Sequence, residues 1–268
     1  MKAHKKTPIS YYGGKQSLVT TILPLIPTHS LYCEPFVGGA AVFWAKEPSD
    51  VEVINDLNSE VINFWFALQN HYSELYKMVQ DTIHSRRQHR DALVIYQHPH
   101  LFDTVQRAWA FWVQSNQSFT SKIAGGWAYA RKSNTCEKKT HNSKERWGEY
   151  YRDRLKFVQV ECNDALVVIK SRDCSSAFFY VDPPYPDSDQ GHYSGYTMQN
   201  FGQLLELLAT IQGKFLLSSY DYPELTKFSE QQGWFQIRKK MLISAVKGQD
   251  GKERTKYKVE VFTANYPI

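Results

Sequence analysis

Ala177-Phe178-Phe179-Tyr180-Val181-Asp182-Pro183-Pro184-Tyr185 is the stretch whose reading decides the fold. Its first five residues form an uninterrupted apolar run of strand length, the pattern of a parallel strand buried on both faces. Two prolines then end the ladder and fix their own φ, so the Pro183 carbonyl leaves the strand pre-aimed. Ligands of open α/β sheets gather beyond the carboxyl ends of such strands. There Asp182 and the Pro183 carbonyl offer two acceptors, which match the two N–H donors of an exocyclic amine, and Tyr185 offers a stacking plane. The corner suits an amino-bearing planar ring. The plain alternative is a turn, since Asp-Pro-Pro after a strand is often no more than that. The neighbouring segments decide.

Upstream, Leu31-Tyr32-Cys33 reads as a short strand that feeds the turn Glu34-Pro35-Phe36-Val37-Gly38-Gly39, and residues 40–46 resume as a helix. Val51-Glu52-Val53-Ile54 is a second strand, ending in Asn55-Asp56-Leu57-Asn58. Strand, glycine turn, helix, strand and acidic tip follow one another in the order of a nucleotide-binding unit. Gly38 and Gly39 sit where a backbone must approach a ligand closely, just before a helix N-terminus. Glu34 is placed to orient a cationic ligand. Asp56, about 20 residues on, stands where an acidic group takes ribose hydroxyls, with a helix cap before Glu60 as the alternative. Asp164 follows a strand over 157–162 and is placed to accept from an adenine amine, to cap its own helix over 164–172, or to do both.

Strand and helix alternate again after residue 157: the strand before Asp182, a helix over 199–210 and a strand over 214–218. The tail adds strands over 234–241 and 258–263, joined by the charged segment 247–256 and expected to pair antiparallel at an edge. Between them, residues 60–151 change character: helix-period apolar positions such as Leu68, Leu75 and Val79, a His/Arg patch, the aromatic stretch 109–112, then a polar, basic loop region. The division expected is a catalytic domain of 1–58 and 152–268, interrupted by a mostly helical insertion of 59–151.

The 268 residues are enough to bury a sizeable core, and the net charge of +5 permits a polyanionic partner without proving one. Cys33, Cys136, Cys162 and Cys174 form no Cys-x-x-Cys pair, and the histidines, His84, His89, His98 and His100 among them, form no His-Glu-x-x-His motif. Ordinary thiols in a reducing compartment and no metal are expected. The first ten residues are basic without an apolar signal core, and no run of about 18 apolar residues occurs, so a cytoplasmic protein is expected.

Taken together, Tyr12-Gly13-Gly14-Lys15, Glu34-Pro35-Phe36-Val37-Gly38-Gly39, Asn55-Asp56-Leu57-Asn58, Asp164, Asp182-Pro183-Pro184-Tyr185 and the closing Thr263-Ala264-Asn265-Tyr266 resemble, in order, the Dam-like DNA adenine-N6 methyltransferases. The resemblance implies a Rossmann-like methyltransferase sheet, S-adenosylmethionine as donor with S-adenosylhomocysteine as product, and an insertion that reads double-stranded DNA. It implies donor contacts at Tyr11, Tyr12, Gly14, Lys15, Glu34, Pro35, Phe36, Gly38, Gly39, Asp56 and Asp164. Asp182, Pro183, Pro184 and Tyr185 would hold an extruded adenine. It also implies a bacterial protein, or a phage-encoded one in a bacterial host, and a monomer or weak dimer. Residues 114–122 stand where the best-known members that methylate GATC carry an Asn-Arg-Thr-Cys-Tyr-Asn-Gly type of segment, which leaves the target sequence open.

The chemistry agrees. Adenine N6 is a poor nucleophile because its lone pair is delocalised into the ring, and two acceptors on its N–H groups draw it toward a reactive geometry. Tyr185 stacks on the everted base, and residues 192–196, with Tyr193 and Tyr196, are placed to close over it. For DNA contact, Lys122, Arg131, Lys132, Lys138 and Lys139 are candidates for phosphates, and Ser115, Asn116, Gln117 and Ser118 for base edges or phosphates. An ordinary solvated charged surface is the alternative for the basic residues. Cytosine-N4 methylation needs the same acceptors, and a catalytically silent DNA-binding module would keep the same fold.

Overall fold

The structure is a computed structural model that describes residues 6–186, 195–247 and 253–268; over 242–247 and 253–256 it describes the backbone alone. Its strands are β1 Leu31–Glu34, β2 Val51–Asn55, β3 Gln159–Glu161, β4 Ala177–Val181, β5 Lys214–Tyr220, β6 Phe235–Lys247 and β7 Glu253–Ala264. The chain forms two compact units, Met1–Pro24 with Phe36–Ala165, and Leu25–Pro35 with Leu166–Ile268.

In the second unit β1, β4 and β5 are parallel neighbours, and β7 and then β6 continue the sheet antiparallel. The helix Met198–Leu208 makes the crossover from β4 to β5, the connection that parallel neighbours require. This is the mixed α/β, Rossmann-like arrangement expected. β4 is buried along its whole length, which is why its sequence shows no alternation. The expected antiparallel pair of the tail is present, but both strands run further than composition predicts, to Lys247 and from Glu253. A ladder is held by backbone bonds, so charged side chains do not end it. The helix Pro223–Gln232 was legible but not anticipated: proline opens it and Gly233, at φ 67°, closes it left-handed. Asn265 fastens β5 from outside, accepting from Phe215 N–H at 3.1 Å and donating to the Gly213 carbonyl at 2.9 Å.

In the first unit β2 and β3 are parallel, and Asn55 clasps their ends by accepting from Asn163 N–H at 2.9 Å and donating to the Asn163 carbonyl at 3.0 Å. Residues 59–155 are helical apart from turns and one isolated bridge, Ser118 with Trp127. Their centre is the helix Thr104–Gln117, started by an Asp103/Gln106 capping box and buried on all sides from Ala108 onward. Ser59–Asn70, Tyr72–Gln80, Arg86–Gln97 and Thr135–Glu145 pack around it. Segment 59–151 shares one compact unit with β2, β3 and the N-terminal segment. Indole bonds make the join, from Trp112 to the Pro8 carbonyl and from Trp65 to the Gly38 carbonyl, each 3.2 Å. A buried ion cluster ties β2 to the helix Tyr150–Leu155: Glu52 accepts from Lys46 at 2.6 Å and from both Arg154 amines, one of them at 2.8 Å. Among the described residues no helix is long and apolar enough to cross a membrane, and no group of three or more His, Cys, Asp or Glu side chains is placed to hold a metal ion.

Candidate active site

The glycine turn belongs to the first unit. It folds tightly because Val37 N–H reaches the Asn55 carbonyl at 2.8 Å and Ala40 N–H reaches the Val37 carbonyl at 2.7 Å, with Gly38 (φ 43°) and Ala40 (φ 55°) both left-handed. Asp56 is the strut beneath it. Its Oδ2 accepts from Gly38 N–H and its Oδ1 from Asn58 N–H, both at 2.9 Å, and the side chain is 1% exposed. The cap of the following helix is Asn58, which accepts from Glu60 N–H at 3.0 Å, so Asp56 is not a cap.

Tyr11 explains the two glycines directly. A Cβ on Gly38 would lie 2.8 Å from Tyr11 Cε1, one on Gly39 2.8 Å from Tyr11 Cβ, and one on Gly14 2.9 Å from the Tyr11 carbonyl. The close approach in this structure is thus made by a tyrosine of the same chain. Gly13, at φ 74°, is exposed, and a Cβ there would meet nothing within 4 Å. Tyr12 and Phe36 are half-buried, and Lys15 is buried with its ammonium donating to the Gly13 carbonyl at 3.2 Å. Asp164 is exposed just before the helix Ala165–Arg172.

Glu34, Pro35 and the Asp182–Tyr185 corner belong to the second unit. Glu34 is buried and accepts from the Tyr32 hydroxyl at 2.5 Å. Asp182 follows β4 directly, Pro183 is buried, and Asp182, Pro184 and Tyr185 are half-buried. The Tyr185 hydroxyl meets Asp182 Oδ1 at 3.1 Å, Ser218 Oγ at 3.1 Å and Glu260 Oε1 at 2.5 Å. Its ring packs edge-on against Tyr220 with centroids 4.4 Å apart. Burial, then the negative charges of Asp182 and Glu260, push the phenol well above its ordinary value, so it keeps its proton. Tyr180, two residues before Asp182, is raised by burial and then by the negative charges of Asp182, Glu34 and Glu260. Ser218, Tyr220 and Glu260 were missed at the level of sequence. A signal for the last existed: an acid set inside the apolar strand Val259-Glu260-Val261-Phe262.

The polar candidates for DNA contact need correction. Ser115, Asn116, Gln117 and Ser118 are all buried and turned to protein partners. Ser115 Oγ donates to the Trp112 carbonyl, Asn116 takes hydroxyl protons from Ser10 and Ser143, Gln117 accepts from Ser85 N–H and donates to the Ile83 carbonyl, and Ser118 pairs with His89. They lie at the buried end of a central helix, where a polar side chain must satisfy itself internally. The basic candidates differ. Arg131, Lys132, Lys138 and Lys139 are exposed and Lys122 is half-buried; Lys139 donates to Ser121 Oγ at 3.0 Å. Close to them in sequence is an unanticipated aromatic ladder. His84 stacks on Trp127 at 4.9 Å, Trp127 on Tyr129 at 5.7 Å, and the Arg86 guanidinium lies 4.7 Å from the Trp127 centroid. Gly191, His192 and Tyr193 of the expected closing loop lie outside the described residues, while Tyr196 is half-buried.

Among known proteins, the chain is 35% identical over 80 residues to the Type II methyltransferase M1.LlaDCHI of Lactococcus lactis subsp. cremoris. That match covers 30% of this chain and 27% of the relative's own length. Of solved structures, the precorrin-6y C5,15-methyltransferase of Geobacter metallireducens GS-15 covers 93% of this chain and 86% of its own at 10% identity and a TM-score of 0.41. The precorrin 8w decarboxylase of Methanobacterium thermoautotrophicum covers 93% of this chain and 87% of its own at 10% identity and a TM-score of 0.38. The family model of the D12 class N6 adenine-specific DNA methyltransferases matches residues 11–243, a span that holds the glycine turn, the acidic tips of β2 and β3, and the Asp-Pro-Pro-Tyr corner. By that match over most of its length, the chain belongs to the D12 class N6 adenine-specific DNA methyltransferases.

Proposed function

We propose that this chain transfers a methyl group from S-adenosylmethionine to N6 of an adenine everted from double-stranded DNA. The observation that carries the reading is the corner at the carboxyl end of buried β4, where Asp182 and Tyr185 are fixed by one hydrogen-bonded cluster. Family membership supports the same reaction.

The residues present fit the donor. Gly13 and Gly14 leave exposed backbone with no side chain to screen it, Asp56 and Asp164 stand at the tips of β2 and β3, and Lys15 is tethered to the same loop. Asp56, whose carboxylate accepts from Gly38 N–H and Asn58 N–H, is the acid at the tip of β2 where this reading puts the ribose hydroxyls. When bound, S-adenosylmethionine supplies a methyl already activated by its sulfonium. The protein's task is then alignment.

In this reading Asp182 and the Pro183 carbonyl accept the two N6 protons as hydrogen bonds, which opposes delocalisation of the nitrogen lone pair into the ring. Pro184 holds the path of the chain, and the Tyr185 ring, fixed at its hydroxyl, stacks on the base and recovers part of the few kcal/mol, about, that eversion costs. Tyr11, Tyr12, Phe36, Gly38 and Gly39 of the first unit, and Glu34 and Pro35 of the second, are the further donor contacts of this reading. Segment 59–151 serves as the target-recognition part, with Arg131, Lys132, Lys138, Lys139 and Lys122 toward phosphates and the His84–Trp127–Tyr129 ladder beside them. The partner is double-stranded DNA and the location the cytoplasm of a bacterium, or of a bacterial host if phage-encoded. The protein acts as a monomer or weak dimer.

The test is Asp182→Ala with radiolabelled donor on mixed-sequence DNA, with donor affinity followed by calorimetry. Methyl transfer should vanish while donor affinity holds. Transfer by the variant at the wild-type rate would refute the role of the carboxylate. Mass spectrometry of the product nucleosides from wild type would refute the base assignment if the methyl were found on cytosine N4.

A further inference from the structure

The Tyr185 hydroxyl has one proton and three oxygens around it: Glu260 Oε1 at 2.5 Å, Asp182 Oδ1 at 3.1 Å and Ser218 Oγ at 3.1 Å. Ser218 is already a donor to Glu260 Oε1, at 2.7 Å, so toward the phenol it is an acceptor only. The two carboxylates therefore compete for a single phenol proton, and the shorter contact lies with Glu260. Glu260 is held there rigidly. It sits opposite Tyr220 in the β5–β7 ladder, is 0% exposed, and belongs to a run in which Val261, Phe262, Thr263 and Ala264 are buried as well. Lys258 stands behind it, with Nζ 4.0 Å from Glu260 Oε2 and 5.2 Å from the Tyr220 ring centroid. Tyr220 in turn packs on Tyr185. Residue 260 also lies beyond the 11–243 span of the family match.

We propose that Glu260 is a positioning residue for methyl transfer: by taking the Tyr185 proton it keeps that proton off Asp182, whose charge is then not drawn on by the phenol when it meets the target amine. The inference rests on the methyltransferase reading above. A carboxylate that already accepts a phenol proton polarises an amine less, because its charge is partly neutralised. The same bond fixes the Tyr185 ring by its hydroxyl end. One acid thus sets both the strength of the first acceptor and the plane on which the base would rest.

Glu260→Gln keeps the shape and removes the charge. Hydrogen bonds to an ionised acceptor are roughly twice as strong as neutral ones, so the phenol proton should turn to Asp182, the carboxylate that remains. We expect kcat to fall by about ten-fold or more, short of the roughly 10²–10³ that loss of a whole electrostatic contact costs. The KM for donor should stay at its wild-type value. The deciding comparison is the double variant Glu260→Gln/Tyr185→Phe, which has no phenol proton to misdirect. It should be more active than Glu260→Gln alone. If Glu260 served packing only, the second substitution would add to the loss.

A double variant no more active than the single, or a Glu260→Gln protein with wild-type kcat, overturns the inference. Should Glu260→Gln fail to fold, judged by circular dichroism and calorimetry of S-adenosylhomocysteine binding, the same comparison is made with Glu260→Asp. Its shorter arm withdraws the carboxylate from the phenol, and the same outcomes decide. Wild-type protein that methylates no DNA would sink the methyltransferase reading itself, whereas an active wild type with no rescue in the double variant sinks only the role of Glu260.

Discussion

Substituting Asp56 separates its structural role from the one proposed in binding. Two backbone donors, Gly38 N–H and Asn58 N–H, end on its carboxylate at 2.9 Å inside the protein. Each buried donor left unmade costs about 1–3 kcal/mol, so Asp56→Ala removes about 2–6 kcal/mol. Against a total stability of about 5–15 kcal/mol that loss is enough to unfold part of the population, which makes the alanine variant a poor probe. Asp56→Asn is the informative one. Its amide oxygen still serves one donor, while its NH2 faces the other, so one bond is lost at about 1–3 kcal/mol. At the scale of a chain this long, about 2–4 °C of melting temperature per kcal/mol, the shift is about 2–12 °C. Urea unfolding should show a lower midpoint at unchanged m-value. On the folded variant, calorimetry with S-adenosylhomocysteine should then show about ten-fold or greater loss of affinity, since a hydrogen bond to a charged group is worth about 1.5–3 kcal/mol. Reduced stability with full affinity would refute the ribose contact and leave Asp56 a turn strut. Unchanged stability would refute the reasoning from the two backbone bonds.

Two further outcomes follow from charge. Burial alone raises Glu52, but the hydrogen bonds and charges of Arg154 and Lys46 outweigh it and hold the carboxyl below its ordinary value. A depressed acid stabilises fully above the unfolded-chain value, about 4.3, and loses that contribution as pH falls below it through the folded value. Glu52→Gln leaves two buried cations without their counter-charge, so it should cost about 3–5 kcal/mol near neutrality, with the gap to wild type closing below about pH 4 in denaturant titrations. A gap independent of pH would show that the charge is not what matters. On the DNA side, Arg131→Gln/Lys132→Gln should flatten the slope of log affinity against log salt by about 1.8, at about 0.9 per phosphate contact, measured by fluorescence anisotropy. An unchanged slope would place these two exposed side chains on an ordinary solvated surface.

Apolar runs and turn residues settled much of the molecule before any coordinates. The five-residue run ending at Val181 predicts β4 to the residue, because a strand buried on both faces has to be continuous in apolar side chains. The glycine turn, the acidic strand tips and the Asp-Pro-Pro-Tyr corner were legible as an ordered set, and the family match spans them. What sequence left undecided is which way a polar side chain faces. Ser115, Asn116, Gln117 and Ser118 have the chemistry of a reading surface, yet they close the buried end of a central helix. Gly38 and Gly39 announce a close approach, but only the fold shows Tyr11 making it.

Local chemistry along the chain determined the strands, the turns and the acceptor corner, since each is written in contiguous residues. Tertiary structure alone brought Glu260 and Ser218 to the Tyr185 hydroxyl, across 75 and 33 positions of sequence, through strand neighbours that no local pattern specifies. The reason is physical: an apolar run says that a strand is buried, whereas pairing and register say which buried side chains share one proton.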